Sequence, residues 1–174
     1  MKKYFIILAM MIVGTTATFA EEGDKWVGVN VSYGFSSEYK NVGIGGKLQY
    51  EIKENLRLEG AANYFFSRSV GVEYGELRTW MLDANVNAQY LIHLSEKLRV
   101  YPIIGPTFML AKASDKDGGI TDHFTGSRVR LGVNAGAGIE YQLNDQIKLN
   151  ADFKYQYVKD FDRPVIAIGA SYKL

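Results

Sequence analysis

Between Val129 and Tyr157 the chain alternates strictly between apolar and polar residues, and most of the remaining sequence repeats the pattern. On one side stand Val129, Leu131, Val133, Ala135, Ala137, Ile139 and Tyr141, and between them come Arg130, Gly132, Asn134, Gly136, Gly138 and Glu140. After Asn144-Asp145-Gln146 the alternation resumes, with Ile147, Leu149, Ala151, Phe153, Tyr155 and Tyr157 set against Lys148, Asn150, Asp152, Lys154 and Gln156. A period of two predicts strands with one apolar and one polar face. A hairpin centred on Asp145 opposes Tyr141 to Leu149 and Gly138 to Asp152, so both strands keep their apolar sets on one side. Each strand is about 11 residues or longer, against the roughly 5–6 usual in soluble proteins. About 9–11 tilted residues cross a bilayer as strand.

Eight such segments can be traced: Trp26–Ser36, Asn41–Ile52, Leu56–Phe66, Thr79–Ile92, Leu98–Leu110, Val129–Tyr141, Ile147–Tyr157 and Val165–Leu174. The connections after the second, fourth and sixth are short (Lys53–Asn55, His93–Lys97 and Asn144–Gln146). Those after the third and fifth are longer (Ser67–Arg78 and Ala111–Gly126), while Ser37–Lys40 and Val158–Arg163 are of moderate length. Short turns at one end and longer loops at the other predict an up-and-down antiparallel barrel in a membrane, with both termini at the short-turn end.

Periodicity alone does not say which face is outside, because a soluble barrel around a ligand would turn its apolar face inward. The polar set decides in favour of an apolar exterior. It contains Lys47, Glu51, Arg57, Glu59, Asp83, Arg99, Arg130, Glu140, Lys148, Asp152 and Lys154, mixed with glycines. A narrow interior can hold small residues and charges that neutralise one another. The aromatics agree: Tyr50, Tyr90, Tyr141 and Tyr172 fall on the apolar face near the short-turn end. Tyr33, Phe35, Tyr64, Phe66, Trp80, Phe108, Tyr155 and Tyr157 gather near the other. Two aromatic girdles around an aliphatic band mark the headgroup levels of a membrane, and a chain that stops at Leu174 with its eighth strand fits. The expected fold is all-β: an eight-stranded antiparallel transmembrane barrel with a polar, filled lumen.

Composition adds an address. Lys2-Lys3, an apolar run from Tyr4 to Val13 and then Thr18-Phe19-Ala20 predict a secretory signal peptide over residues 1–20, leaving 21–174 as a single barrel domain. Without Lys2 and Lys3 there are 18 basic residues against 19 acidic ones, and nothing marks a nucleic-acid surface. With no cysteine, closure must come from backbone pairing, and a cysteine-linked lipid is excluded. The expected location is the outer membrane of a Gram-negative cell.

The final strand, Ile166-Ala167-Ile168-Gly169-Ala170-Ser171-Tyr172-Lys173-Leu174, and the segment Gly132-Val133-Asn134-Ala135-Gly136-Ala137-Gly138-Ile139-Glu140-Tyr141 resemble the last and sixth strands of small OmpA/OmpX-like outer-membrane barrels. Many of these chains end in Phe, whereas this one ends in Leu174. The resemblance implies insertion by the barrel-assembly machinery, with Tyr172 and Leu174 as apolar anchors, and contact with outer-membrane lipid and lipopolysaccharide. A monomer is expected.

Candidate chemistry is sparse. A hairpin centred on Glu54 sets Glu51 opposite Arg57, and the inward charges are read as an ion-pair network filling the barrel. The function expected is that of a non-enzymatic barrel with a structural or surface-interaction role carried by its outer loops, and the competing readings are a narrow solute pore and a lipid-modifying enzyme. His93 lies in a short turn; His123, in Asp122-His123-Phe124-Thr125 with Ser127 nearby, has no inferable nucleophile or orienting partner. Asp115-Lys116-Asp117-Gly118-Gly119 lacks the glutamate that closes a calcium loop. No catalytic residue, cofactor or metal is therefore expected. Gly132, Gly136 and Gly138 are read as making room for Asp152 and Lys154. Pro102 and Pro106 interrupt the fifth strand, where a bulge or local widening is expected.

Overall fold

A computed structural model describes the backbone of residues 23–35, 40–72, 75–115, 127–159 and 161–174, with side chains within 23–35, 41–66, 80–110, 129–159 and 161–174. The proposed signal peptide, His123 and Asp117-Gly118-Gly119 lie outside the described residues. The strands are β1 (Lys25–Phe35), β2 (Lys40–Lys53), β3 (Leu56–Val72), β4 (Gly75–Tyr90, resumed after Leu91 by Ile92–His93), β5 (Leu98–Asp115), β6 (Ser127–Gln142), β7 (Ile147–Val158) and β8 (Arg163–Lys173). Each pairs antiparallel with its neighbours in sequence, and β1 pairs with β8 from Trp26↔Lys173 to Gly34↔Val165. The sheet thus closes on itself as an eight-stranded barrel without a free edge.

The short turns are held by local hydrogen bonds. Asn144 Oδ1 accepts from the N–H groups of Gln146 (2.9 Å) and Ile147 (2.8 Å), which sets the β6–β7 register with Tyr141 opposite Leu149 and Gly138 opposite Asp152. Ser95 Oγ accepts from Leu98 N at 3.1 Å in the β4–β5 turn. The first and last strands also meet at this end, where Leu174 N donates to Lys25 O at 2.8 Å.

The wall is uneven in height. Strands β3 to β6 run to 17, 16, 18 and 16 residues, whereas β1, β7 and β8 have 11, 12 and 11. This corrects the sequence reading of Ser67–Arg78 as a loop, since β3 and β4 stay paired to Val72↔Gly75. It also shortens the second expected loop, because β5 extends to Asp115 and β6 begins at Ser127. For β3 and β4 the cause is a β-bulge. Between Phe65↔Met81 and Arg68↔Thr79 the strand β3 spends one extra residue, so the alternation changes phase and the ladder continues unseen by a period-two pattern.

Outward positions are apolar and exposed, as at Val29 (68%) and Ile168 (65%), while inward positions are buried. An apolar exterior around a polar interior suits hydrocarbon as solvent, and the closed ladder pairs the backbone within the wall apart from two short gaps between β4 and β5.

Pro102 and Pro106 produce gaps rather than a bulge. The β5–β6 ladder is continuous through Pro102↔Ala137 and Pro106↔Val133. On the other side, β4–β5 pairing omits Val86 and Asn87 opposite Gly105 and Pro106, then resumes at Ala88↔Ile104 in the same register. A second gap faces Pro102, between Gln89↔Ile103 and Ile92↔Val100. The missing proline donors are thus turned toward β4. At the first gap a Cβ on Gly105 would run into Val86 O, so the close approach there requires glycine.

Arginine at the midplane of such a wall costs about 2–4 kcal/mol. Ile168→Arg is expected to lower stability by about that amount, whereas Asp145→Arg in the exposed turn leaves it unchanged. Reversible urea unfolding of the lipid-inserted protein checks both, and equal effects would contradict the assigned facing.

Candidate functional site

The inward face of the eight strands builds a largely polar interior, layered along the barrel. Nearest the termini, Glu140 sits between two arginines, with Arg57 Nη1 at 2.7 Å from one carboxylate oxygen and Arg99 Nε at 2.7 Å from the other. Glu51, directly opposite Arg57 on β2, is 3.7 Å from Arg57 and 3.4 Å from Arg99. Lys148 Nζ lies 3.5 Å from both Glu51 and Glu140, and 4.1 Å from the centre of the Trp26 ring. Arg57 is fully buried, donates from Nε to Gln89 Oε1 at 2.6 Å and stacks over Tyr101 at 4.7 Å. Three cations and two carboxylates thus share one layer with a net charge of +1, and the rings of Tyr101 and Trp26 face two of the cations.

The next layer is centred on Lys47, 3.7 Å from Glu59 and 3.5 Å from Asp152. Tyr101 donates its hydroxyl to Asp152 Oδ1 at 2.6 Å, and Gln49 and Asn87 donate to Glu59 at 2.8 and 3.1 Å. Lys154 is buried near enough to Glu59 for its charge to act on it. Above this lies a lattice of amides. Asn134 reaches Asn85 (2.8 Å) and Asn87 (3.1 Å), and Asn63 donates to Asp83 at 2.7 Å. Gln156 and Arg163 converge on the other oxygen of Asp83, at 3.0 and 3.4 Å.

All eleven charged residues singled out from the sequence face inward: Lys47, Arg57, Glu59, Asp83, Glu140, Lys148, Asp152 and Lys154 are buried, and Glu51, Arg99 and Arg130 are half-buried. They fall into separate layers rather than one cluster. The pattern did not single out Tyr101 and Arg163, although Tyr101 shares the phase of Arg99 and could have been found by extending the alternation through the prolines. It also missed the apolar residues that point inward. Leu91, Tyr101 and Ile103 form one buried cluster, and Phe65, Met81, Met109, Val158 and Val165 form another at the end away from the termini. Gly136 and Gly138 do stand against Lys154 and Asp152, but Gly132 stands against Val158.

On the outside, Tyr50, Tyr90, Tyr141 and Tyr172 lie toward the turn end. At the other end the rings meet in pairs: Tyr33–Phe35 (5.9 Å), Tyr64–Trp80 (6.0 Å) and Tyr155–Tyr157 (4.4 Å). Tyr155 also donates to Asp162 at 2.6 Å. His93 is exposed and opposite Arg99 at the turn end. Among the described residues no group of three His, Cys, Asp or Glu side chains could hold a metal ion.

The sequence profile described as "outer membrane protein beta-barrel domain" matches residues 5–173. No protein with a curated description matches the chain. Among solved structures, Ail, the attachment invasion locus protein of Yersinia pestis, is 19% identical and aligns over 90% of this chain and 100% of its own, with a TM-score of 0.61. Ail has also been solved with the heparin analogue sucrose octasulfate. The N-terminal barrel of Pseudomonas aeruginosa OprF (16% identity, 88% of this chain, 100% of its own) has a TM-score of 0.58. OprG of the same organism (15%, 88% and 97%) reaches 0.62. At these identities the likeness is one of fold.

Removing one member of a buried pair strands the other, at about 3–5 kcal/mol. Glu140→Ala is expected to destabilise by about that amount, because Arg57, Arg99 and Lys148 are then left with Glu51 alone, while Lys173→Ala at the exposed pair with Asp24 changes stability by about 1 kcal/mol or less. Chemical unfolding of the two variants checks this, and similar losses would show that the inner layer is solvated like the surface.

Proposed function

This chain belongs to the outer membrane protein beta-barrel domain family, and from that membership we propose that it is a non-enzymatic barrel whose interior is a structural core and whose working surface is its outer end. The observation that carries this reading is the Glu140 carboxylate clamped at 2.7 Å by two arginines from β3 and β5. A solute path needs groups that a passing molecule can displace, and displacing these strands buried charge. Eight strands also leave an interior only wide enough for side chains to fill.

Function then belongs to the exterior. The aliphatic belt and its aromatic girdles suit outer-membrane lipid, with lipopolysaccharide at the outer headgroup level. The last strand, through Tyr172 and Leu174, is the segment that assembly machinery would read. Signal-peptide removal after Ala20 and a monomeric state complete the proposal. The part suited to a surface partner is the tall wall of β3 to β6, whose ladder continues beyond Phe66 and Trp80. A paired β-surface held above the membrane loses little conformational entropy on binding, unlike a loose loop.

The test is to replace residues 69–77 with a two-residue turn and compare the trimmed protein with wild type. Both are expected to keep a heat-modifiable mobility on detergent gels, because a closed barrel has no edge at which to begin unfolding. Wild type alone should bind cultured host cells or, taking the Ail complex as a first probe, a sulfated-glycan column. Unchanged binding after trimming removes the tall wall from the reading. Lipid modification that depends on His123 would replace the reading with an enzymatic one.

A further inference from the structure

The charged layer nearest the termini sets Arg57, Arg99 and Lys148 against Glu51 and Glu140 and keeps a net charge of +1. The layers above have no negative charge to lend. Lys47 and Lys154 balance Glu59 and Asp152, and Arg163 balances Asp83. The faces of Tyr101 and Trp26 soften the fields of Arg57 and Lys148 but carry no net charge. A buried charge left without a counter-charge is costly.

Free hydrogen-bond donors lie beside this surplus. The fully buried Arg57 spends Nη1 on Glu140 and Nε on Gln89 Oε1, the latter at 2.6 Å. Because Arg57 Nε can only donate, the oxygen of the Gln89 amide must be the atom that meets it, which fixes where the amide nitrogen lies. Arg57 Nη2 and Gln89 Nε2 are then left buried with no hydrogen-bond partner in the protein. Each shares its carbon with one atom of the 2.6 Å bond. Covalent geometry therefore keeps the two nitrogens within about 7 Å of one another, a gap that one halide accepting from both N–H groups bridges. Glu59, two residues along β3 from Arg57, cannot serve them, since its carboxylate is taken by Lys47, Gln49 and Asn87.

Water would satisfy the two donors and leave the charge. A small anion does both. The surroundings limit its size and charge: Leu91, Tyr101 and Ile103 pack as an apolar cluster beside the fork, with Ile103 directly opposite Gln89. A divalent anion would only reverse the imbalance. Entry is from the turn end, where Glu51 and Arg99 keep 11% and 12% of their side-chain surface exposed. We propose that the Arg57–Gln89 fork binds one halide-sized monovalent anion, which neutralises the layer and stabilises the closed barrel. The proposal concerns the interior and is independent of the surface-binding reading.

Crystals grown in sodium bromide test it directly. Wild type should show a bromide anomalous-scattering peak within hydrogen-bond distance of both Arg57 Nη2 and Gln89 Nε2, and density there with no anomalous signal, as for water, overturns the proposal. Urea unfolding of the lipid-inserted protein gives a second readout, with chloride exchanged for gluconate at constant ionic strength. Once the site is filling, each tenfold rise in chloride should lower the wild-type unfolding constant by about tenfold. Gln89→Glu places a carboxylate at the fork and supplies the missing charge from the chain itself. This variant is expected to show neither the bromide peak nor the chloride dependence. A chloride dependence as large as that of wild type overturns the assignment to this fork. Should Gln89→Glu fail to fold, the bromide peak in wild type decides alone.

Discussion

Hydrocarbon offers no hydrogen bonds, so each backbone N–H and C=O within it must be paired inside the protein. Closure of β1 on β8 answers that demand, and much else in the structure follows from it. A closed ladder allows only two directions for side chains, so each strand has one face for lipid and one for the lumen. Register becomes strict, because a slip of one residue exchanges the faces. Even the prolines obey. Pro102 and Pro106 stay within an unbroken β5–β6 ladder and confine their missing donors to two short gaps facing β4.

Closing eight strands leaves a bore so narrow that side chains from opposite walls must meet. The inward residues therefore have to be compatible across the barrel as well as along it. Arg57 and Glu140 are 83 positions apart in sequence and touch at 2.7 Å. Replacing such pairs with well-packed apolar residues is often neutral or stabilising, so their contribution is better sought in specificity. A carboxylate shared by two arginines and a lysine tolerates few alternative registers. The apolar cluster at the outer end is formed by the same crowding, with Phe65 and Val158 filling the space at Gly43 and Gly132 and the Arg163 side chain that at Gly34.

The uneven wall divides the barrel's two ends by purpose. At the turn end, strands stop together in tight turns whose Asn and Ser side chains supply the missing acceptors. At the other end β3 to β6 outrun the apolar belt, and their ladder persists where the exterior no longer needs to be apolar. Pairing above the lipid level is not demanded by the membrane, which is why the proposed partner-binding surface is placed there.

Period-two alternation, turn chemistry and the distribution of aromatics were enough to determine the number of strands, their order, the outward facing and the β6–β7 register, because each is a local consequence of a repeating pattern. The inward placement of charges such as Lys47, Glu59 and Asp152 followed from the same phase. The pattern failed where its phase was broken. The extra residue near Phe66 hid Ser67–Val72 of β3 and Gly75–Arg78 of β4 inside what read as a loop, and the prolines masked Tyr101. Only the closed tertiary structure decided which inward residues meet, since contacts across a bore depend on the stagger of all eight strands at once. It alone brought Glu140 between Arg57 and Arg99, and gathered Phe65, Met81, Met109, Val158 and Val165 into one cluster with the Arg163 guanidinium over the Phe65 ring.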